Sequence, residues 1–293
     1  MCRSSDGVWK RPTRPQAAVS DIPKATGLTR VLRASRGRSY PRIIGLLRER
    51  SWLFYDTVLP LLGTIAFVYV YKALGAPDRF VGYVIMGGAA MGFWMNVMWS
   101  MAAQFYWDKQ GGNLELYLVS PCGLVPILLG MSVGGFANTL MRTVAIVVVG
   151  SVLFHVTYVI HQLPVFIAVF AVGVIALYGL GVTFASLFLL WGREAWHMAN
   201  LLMEPVFLGT GFYFPVRALG FWVAIGTSII PLTLALDALR QLLFPDTHPA
   251  LLPVRIELAI LGGLAVLFVF TARFSLRKME YLARREGRLS LRF

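Results

Sequence analysis

Beyond residue 50, long apolar blocks alternate with short polar intervals. The blocks occupy residues 52–72, 80–104, 125–154, 164–191, 197–214 and 256–273. Each is close to the ~20 residues that cross a bilayer as a helix. The pattern predicts an all-α membrane protein with six transmembrane helices, the third long enough to begin outside the lipid. Small residues recur at four-residue spacing in Gly88-Ala-Ala-Met-Gly92 and Gly130-Met-Ser-Val-Gly134, where missing side chains let helices approach closely. From Tyr40, Ile43, Ile44, Leu46 and Leu47 form an apolar face flanked by Arg42, Arg48 and Arg50. That predicts an N-terminal interfacial helix in the inner headgroup layer, with Pro41 in its first turn.

Two polar intervals hold structure of their own. In residues 106–121, Gly111 and Gly112 break the incoming helix and Asn113 caps a new one. Glu115 occupies the first turn, where a carboxylate is favoured. Leu114, Leu116, Leu118 and Val119 supply apolar surface, and Ser120-Pro121 stops the helix. The result is a short amphipathic helix that a partner protein can grip. Residues 215–255 form the longest external interval. Phe214-Pro215 ends the fifth block, an apolar run containing Trp222 reaches Pro231, and a second run ends at Pro245. Each run is too short to span, which predicts a re-entrant helical pair in the outer leaflet. Such a pair suits an external gate built from Gly211, Phe214, Pro215, Trp222 and Pro231; an external cap without gating fits the same runs.

Composition supports the membrane reading: 57% of the 293 residues are hydrophobic, 14% are charged and the mean hydropathy is +0.68. Soluble domains carry about 25% charged residues. Residues 1–50 hold 12 Lys/Arg against 3 Asp/Glu, and residues 273–293 hold 7 against 2, so the middle is nearly neutral. Basic ends around a neutral apolar middle place both termini in the cytoplasm and account for the basic pI without nucleic-acid binding. Residues 1–38, rich in Arg, Ser and Pro, read as a disordered basic tail; 39–275 form the membrane domain and 276–293 a basic cytoplasmic tail. The N-terminus lacks the apolar stretch of a secretory signal.

Arg142 and Glu204 are the charges set deepest in apolar blocks. An unpaired charge at the bilayer centre costs at least ~2.5–3.5 kcal/mol, so the two are expected to pair or to share a hydrated cavity. Asp56 falls at interfacial depth, and Asp237 and Arg240 are expected to pair locally at i,i+3. Catalytic chemistry is missing. Cys2 and Cys122 form no disulfide framework or metal motif, and the four histidines lack metal-ligand spacing. None of the five lysines follows a glycine, which excludes a phosphate-cradling loop.

Three motifs carry a family resemblance. Gly112-Asn-Leu-Glu-Leu-Tyr-Leu-Val-Ser-Pro121 with Ile127-Leu-Leu-Gly130 is similar to the cytoplasmic segment of type-2 permeases of the ATP-binding cassette superfamily. Gly211-Phe-Tyr-Phe-Pro215 resembles the end of their fifth span, and Ile230-Pro-Leu-Thr-Leu-Ala-Leu-Asp-Ala-Leu-Arg240 the run that closes their external helices. Two departures are Asn113 in place of Thr and Ile230 in place of Asn. The resemblance implies the transmembrane subunit of an exporter of drug-like, lipid or lipid-linked substrates in the cell (inner or plasma) membrane. It implies a second permease copy, as a homodimer, and a separate ATPase subunit docking on a cytoplasmic coupling helix at 106–121. ATP and Mg would sit on that partner, with no cofactor on this chain and no enzymatic activity of its own. From the residues alone, a stand-alone channel or secondary transporter is the other class. Such proteins usually show inverted repeats, and the two halves here have no evident internal symmetry.

Overall fold

The computed structural model describes residues 27–77, 79–104, 107–108, 111–113, 124–158, 162–191, 194–244 and 250–286. Every regular element among them is helical. In chain order these are α1 Gly27–Arg48, α2 Arg50–Ala73, α3 Arg79–Met95 with a π-helical extension Asn96–Ala102, α4 Leu124–Phe154 and α5 Leu163–Trp191. There follow α6 Glu194–Gly209, a 3-10 turn Val216–Leu219, α7 Phe221–Thr227, α8 Pro231–Leu243 and α9 Val254–Glu286.

α3 is the centre of the bundle. The stretch Phe80–Ala102 is 72% buried, against 11% for Phe54–Ala73 on α2 and 17% for Val254–Lys278 on α9. α2, α4, α5 and α8 pack on α3 and its π extension, while α9 lies along α5 and α1 along α4. Glycines permit these approaches. A Cβ on Gly88 would fall 2.0 Å from the Thr64 hydroxyl of α2, and one on Gly92 2.7 Å from the Arg142 guanidinium of α4. On α4, Gly130 meets Ser35 and Arg38 of α1, and Gly134 meets Arg42. Both four-residue glycine spacings in the sequence therefore mark helix crossings.

Among the described residues, five helical stretches are long and apolar enough to cross a membrane, Phe54–Ala73, Phe80–Ala102, Val125–Phe154, Leu163–Leu187 and Val254–Lys278, or six if a bent helical pair counts as one span. The five named coincide with five of the six expected blocks. The remaining block, 197–214, is different. α6 has 16 residues and stops at Gly209, a length of about 24 Å. The stop has a local cause: Gly211 adopts φ +62°, outside the helical region. Beyond it, α7 and α8 are bent by 114° at Ser228–Ile230, matching the two short runs expected there.

One expectation about the N-terminus is corrected. Residues 27–38 were assigned to a disordered tail, yet α1 begins at Gly27 and carries Pro41 in its interior rather than in its first turn. Tertiary contacts supply what the local sequence lacks. Ser35 donates to the Pro126 carbonyl at 2.9 Å, and Arg38 bridges Asp108 at 3.3 Å. At the other terminus, α9 continues unbroken to Glu286, so the basic segment from residue 276 begins as helix; Ala272 and Leu276 are buried along it. Residues 1–26 and 287–293 lie outside the described residues.

α7 exposes Phe221, Trp222 and Ile225 on the protein surface, so these side chains contact lipid if the bent pair enters the bilayer. Cysteines replacing Phe221 and Ile225 are then expected to react at least ~10-fold more slowly with a membrane-impermeant thiol reagent than one replacing exposed Arg217, because the hydrocarbon excludes the reagent. Equal, rapid labelling at all three positions would show a solvated cap.

Candidate functional site

α8 has almost no exposed side chain, and Arg240 in its last turn is completely buried. Its guanidinium donates to the Gly211 carbonyl at 2.8 Å, the Tyr83 carbonyl at 3.0 Å and the Phe212 carbonyl, and lies 3.6 Å from the Tyr83 ring centroid. One side chain thus joins α8, α3 and the segment that follows α6. Gly87 makes this junction possible, since a Cβ there would sit 1.4 Å from the Phe212 carbonyl oxygen. The segment is also held from α2, where the Tyr71 hydroxyl donates to the Tyr213 carbonyl at 2.8 Å and Phe67 stacks on Tyr213 at 3.9 Å.

Among the expected gate residues, Gly211 is a direct partner of Arg240. Pro231 is buried as the first residue of α8, Pro215 caps the 3-10 turn, and Phe214 is half-buried between them. Trp222 does not join this group; it is 82% exposed, edge-on to Phe221. Asp237 adds its charge to the surroundings of Arg240, and both side chains also make contacts beyond each other. Arg240 is committed to backbone carbonyls. Asp237 accepts from the Leu251 amide at 3.0 Å and from Gln241 at 3.2 Å. Gln241 also donates to Glu257 at 2.9 Å, so the side chains fasten α8 to the start of α9.

At the end of the bundle carrying α1, a polar cavity of about 490 Å³ lies between α1, α2, the π extension and α4. Gly134, Asn138 and Arg142 share one face of α4 at four-residue spacing. Asn96, Trp99 and Ser100 come from the π extension, whose wider turn is recorded in the Ala103 amide donating to Met98 at 2.9 Å. Such turns are frequent at functional sites. Gly135 leaves room for the Asn96 side chain, and the Tyr178 hydroxyl holds that amide oxygen at 3.0 Å. Arg42 reaches in from α1 and donates to the Ser100 carbonyl at 3.0 Å.

Arg142 forms the floor. Only 6% exposed, it donates from Nη1 to Asp56 Oδ1 at 3.0 Å and from Nη2 to the Gly92 carbonyl at 2.7 Å. The partner is therefore Asp56 on α2, not Glu204. Arg142 points across the α3–α4 contact towards α2, whereas Glu204 is exposed on α6 and meets no basic side chain among the described residues. Asn138 and the Asp56 carboxylate stand 3.5 Å apart on the cavity wall. Asn96 and Asn138 were legible in sequence as amides inside apolar blocks; the π extension left no comparable mark. A second cavity, of about 400 Å³ between α3, α4, α5 and α8, is lined almost wholly by apolar side chains such as Phe93, Phe170 and Leu236.

The expected docking segment is described only at its start. Gly112 has φ +73° and Gly111 closes a turn onto the Trp107 carbonyl at 2.9 Å, which is the helix break expected there. Asn113 follows the break; Leu114, Glu115, Leu118, Ser120 and Pro121 lie outside the described residues. Directly before the break, Asp108 is buried and held by Arg38 and by Gln104 at 3.2 Å. Among the described residues no three His, Cys, Asp or Glu side chains gather to hold a metal.

Replacing Gly87 with Ala is expected to destabilise the protein by ~1–3 kcal/mol or more, read as a lower melting temperature and folded yield in detergent. Gly262 in α9 has open space around it, so Gly262→Ala should be neutral or slightly stabilising. For the ion pair, Arg142→Leu and Asp56→Leu should each lower stability, and the double variant should recover part of the loss. A coupling of about 1–3 kcal/mol is expected from the double-mutant cycle; additive losses would mean that the pair contributes no mutual stabilisation.

Comparison with curated proteins finds no match for the chain. Comparison with protein families matches residues 42–244 to the ABC-2 type transporter. That interval runs from the cavity-lining Arg42 to the end of α8, and it covers more than half of the chain. The all-helical bundle, with its apolar spans and the buried arginines that tie them together, belongs to the ABC-2 type transporter family of membrane proteins.

Proposed function

We propose that this chain is the transmembrane subunit of an ATP-driven exporter, acting as two copies with a separate ATPase subunit docked on residues 106–121. The observation that supports the reading best is where the polar cavity sits. Its wall, the π extension, ends at Ala102, and Gln104 and Asp108 follow immediately, linked to Arg38 of α1. The helix break at Gly111 and Gly112 comes next. A displacement of the docking helix would therefore reach both the π extension and α1, the two sides of the cavity, through contacts a few residues away. Conformational coupling of this kind needs a contiguous, bistable path rather than a long-range effect. ATP and Mg belong to the partner, since no phosphate-cradling loop occurs in this sequence.

Export as the direction, and a drug-like, lipid or lipid-linked substrate, follow from the family resemblance. An amphipathic substrate also suits the chain's own features: a polar cavity beside an apolar one, with aromatic side chains such as Phe93 and Trp99 on their walls. The basic termini favour the cytoplasmic side of the cell membrane.

Co-expression with the cognate ATPase tests the docking assignment. The wild-type chain should copurify with it and support substrate-stimulated hydrolysis. Glu115→Arg reverses the first-turn charge of the docking helix and should reduce both by about tenfold. Unchanged pull-down and hydrolysis in this variant would remove 106–121 as the docking segment.

A further inference from the structure

The cavity at the α1 end contains two positive and two negative side chains. Arg42 and Arg142 face Glu49 and Asp56. Glu49 is the residue between α1 and α2 and Asp56 lies seven residues later, two turns and roughly 10 Å along one side of the helix. The carboxylates therefore line the α2 side, and the guanidiniums come from α1 and α4. Arg142 and Asp56 close one ion pair at the floor. Glu49 is exposed, makes no cap hydrogen bond and has no ion-pair partner among the described residues.

We propose that this cavity binds the headgroup of a zwitterionic phospholipid, with the phosphate against Arg42 and the ammonium between Glu49 and Asp56. Charge decides the class. The lining groups sum to zero, so a singly charged ligand would match the charges on only one side of the cavity and face like charges on the other. A zwitterion brings one charge for each side. At about 490 Å³, the volume falls within the ~300–1,000 Å³ range of small-molecule sites. The surface beside it suits acyl chains, because Tyr55, Leu59 and Leu62 are exposed on α2 next to Asp56.

Binding stands on these charges alone; only the role of the lipid as substrate rests on the exporter reading. The test therefore uses the isolated full-length chain in detergent, without an ATPase, so that a failure of the docking assignment leaves it untouched. Dissociation constants are measured for dioctanoyl phosphatidylethanolamine, dioctanoyl phosphatidylglycerol and a decyl-trimethylammonium salt. The zwitterion should bind at least about tenfold more tightly than either singly charged probe, equivalent to ~1.4 kcal/mol. Glu49→Gln leaves the cavity with an excess positive charge. It should weaken phosphatidylethanolamine and strengthen phosphatidylglycerol until their order is lost, with the melting temperature unchanged because Glu49 caps nothing and is exposed. Should Glu49→Gln alter the melt, Asn138→Leu, which removes the amide beside Asp56, must instead lower phosphatidylethanolamine affinity. Equal affinity for the three probes, preference for either singly charged one, or an unchanged preference in these variants would overturn the assignment.

Discussion

A guanidinium withdrawn from all solvent needs acceptors for its N–H groups, and both Nη groups of Arg240 find them on the backbone. Backbone outside a helix has carbonyls without intrahelical partners, and the segment after α6 offers two of these at Gly211 and Phe212. Meeting them requires α6 to stop where it does, Gly211 to take a positive φ, and α3 to present a glycine at position 87. The short α6, the bend between α7 and α8 and the burial of α8 then form one arrangement. Removing any of its parts leaves a buried charge with unmet hydrogen bonds, which costs more than the contact itself stabilises.

The opposite end of α3 repeats this arrangement with a different outcome. Arg142 donates to the Gly92 carbonyl, again across a glycine that allows close approach. Tyr83 and Gly92 are about 13.5 Å apart along α3, so two arginines from different helices grip the central helix near its two ends. Arg240 ends wholly on backbone. Arg142 shares its charge with Asp56, a side chain 36% exposed, and its surroundings remain open as a polar cavity. The first end is built as a clasp, the second as a place where a polar group can reside inside the bundle.

The π extension connects that cavity to the region where a partner is expected. A π turn inserts an extra residue per hydrogen bond and rarely persists without compensation. Here Asn96 is held by Tyr178, and Met98 and Met101 are fully buried in the main core cluster. The segment thus packs tightly on one face and borders the polar cavity on the other.

Hydrophobic block length was enough to read an all-helical membrane protein, five of its spans and the two short runs near residues 221–243, because in lipid a helix must satisfy its own backbone and its length must match the bilayer. Glycine spacing marked where helices cross, since absent side chains act locally. Other features depended on neighbours distant in sequence. The partner of Arg142 is Asp56, 86 residues away, and no local pattern distinguishes it from Glu204. α1 extends back to Gly27 because α4 offers Pro126 and Gly130 to Ser35, not because residues 27–38 carry a helical period of their own. Beyond the expected partner three residues away, Arg240 donates to carbonyls 28, 29 and 157 residues away. Length, polarity and local spacing are one-dimensional properties that the chain states outright; the pairing of buried charges depends on which helix faces which, and only tertiary packing decided that.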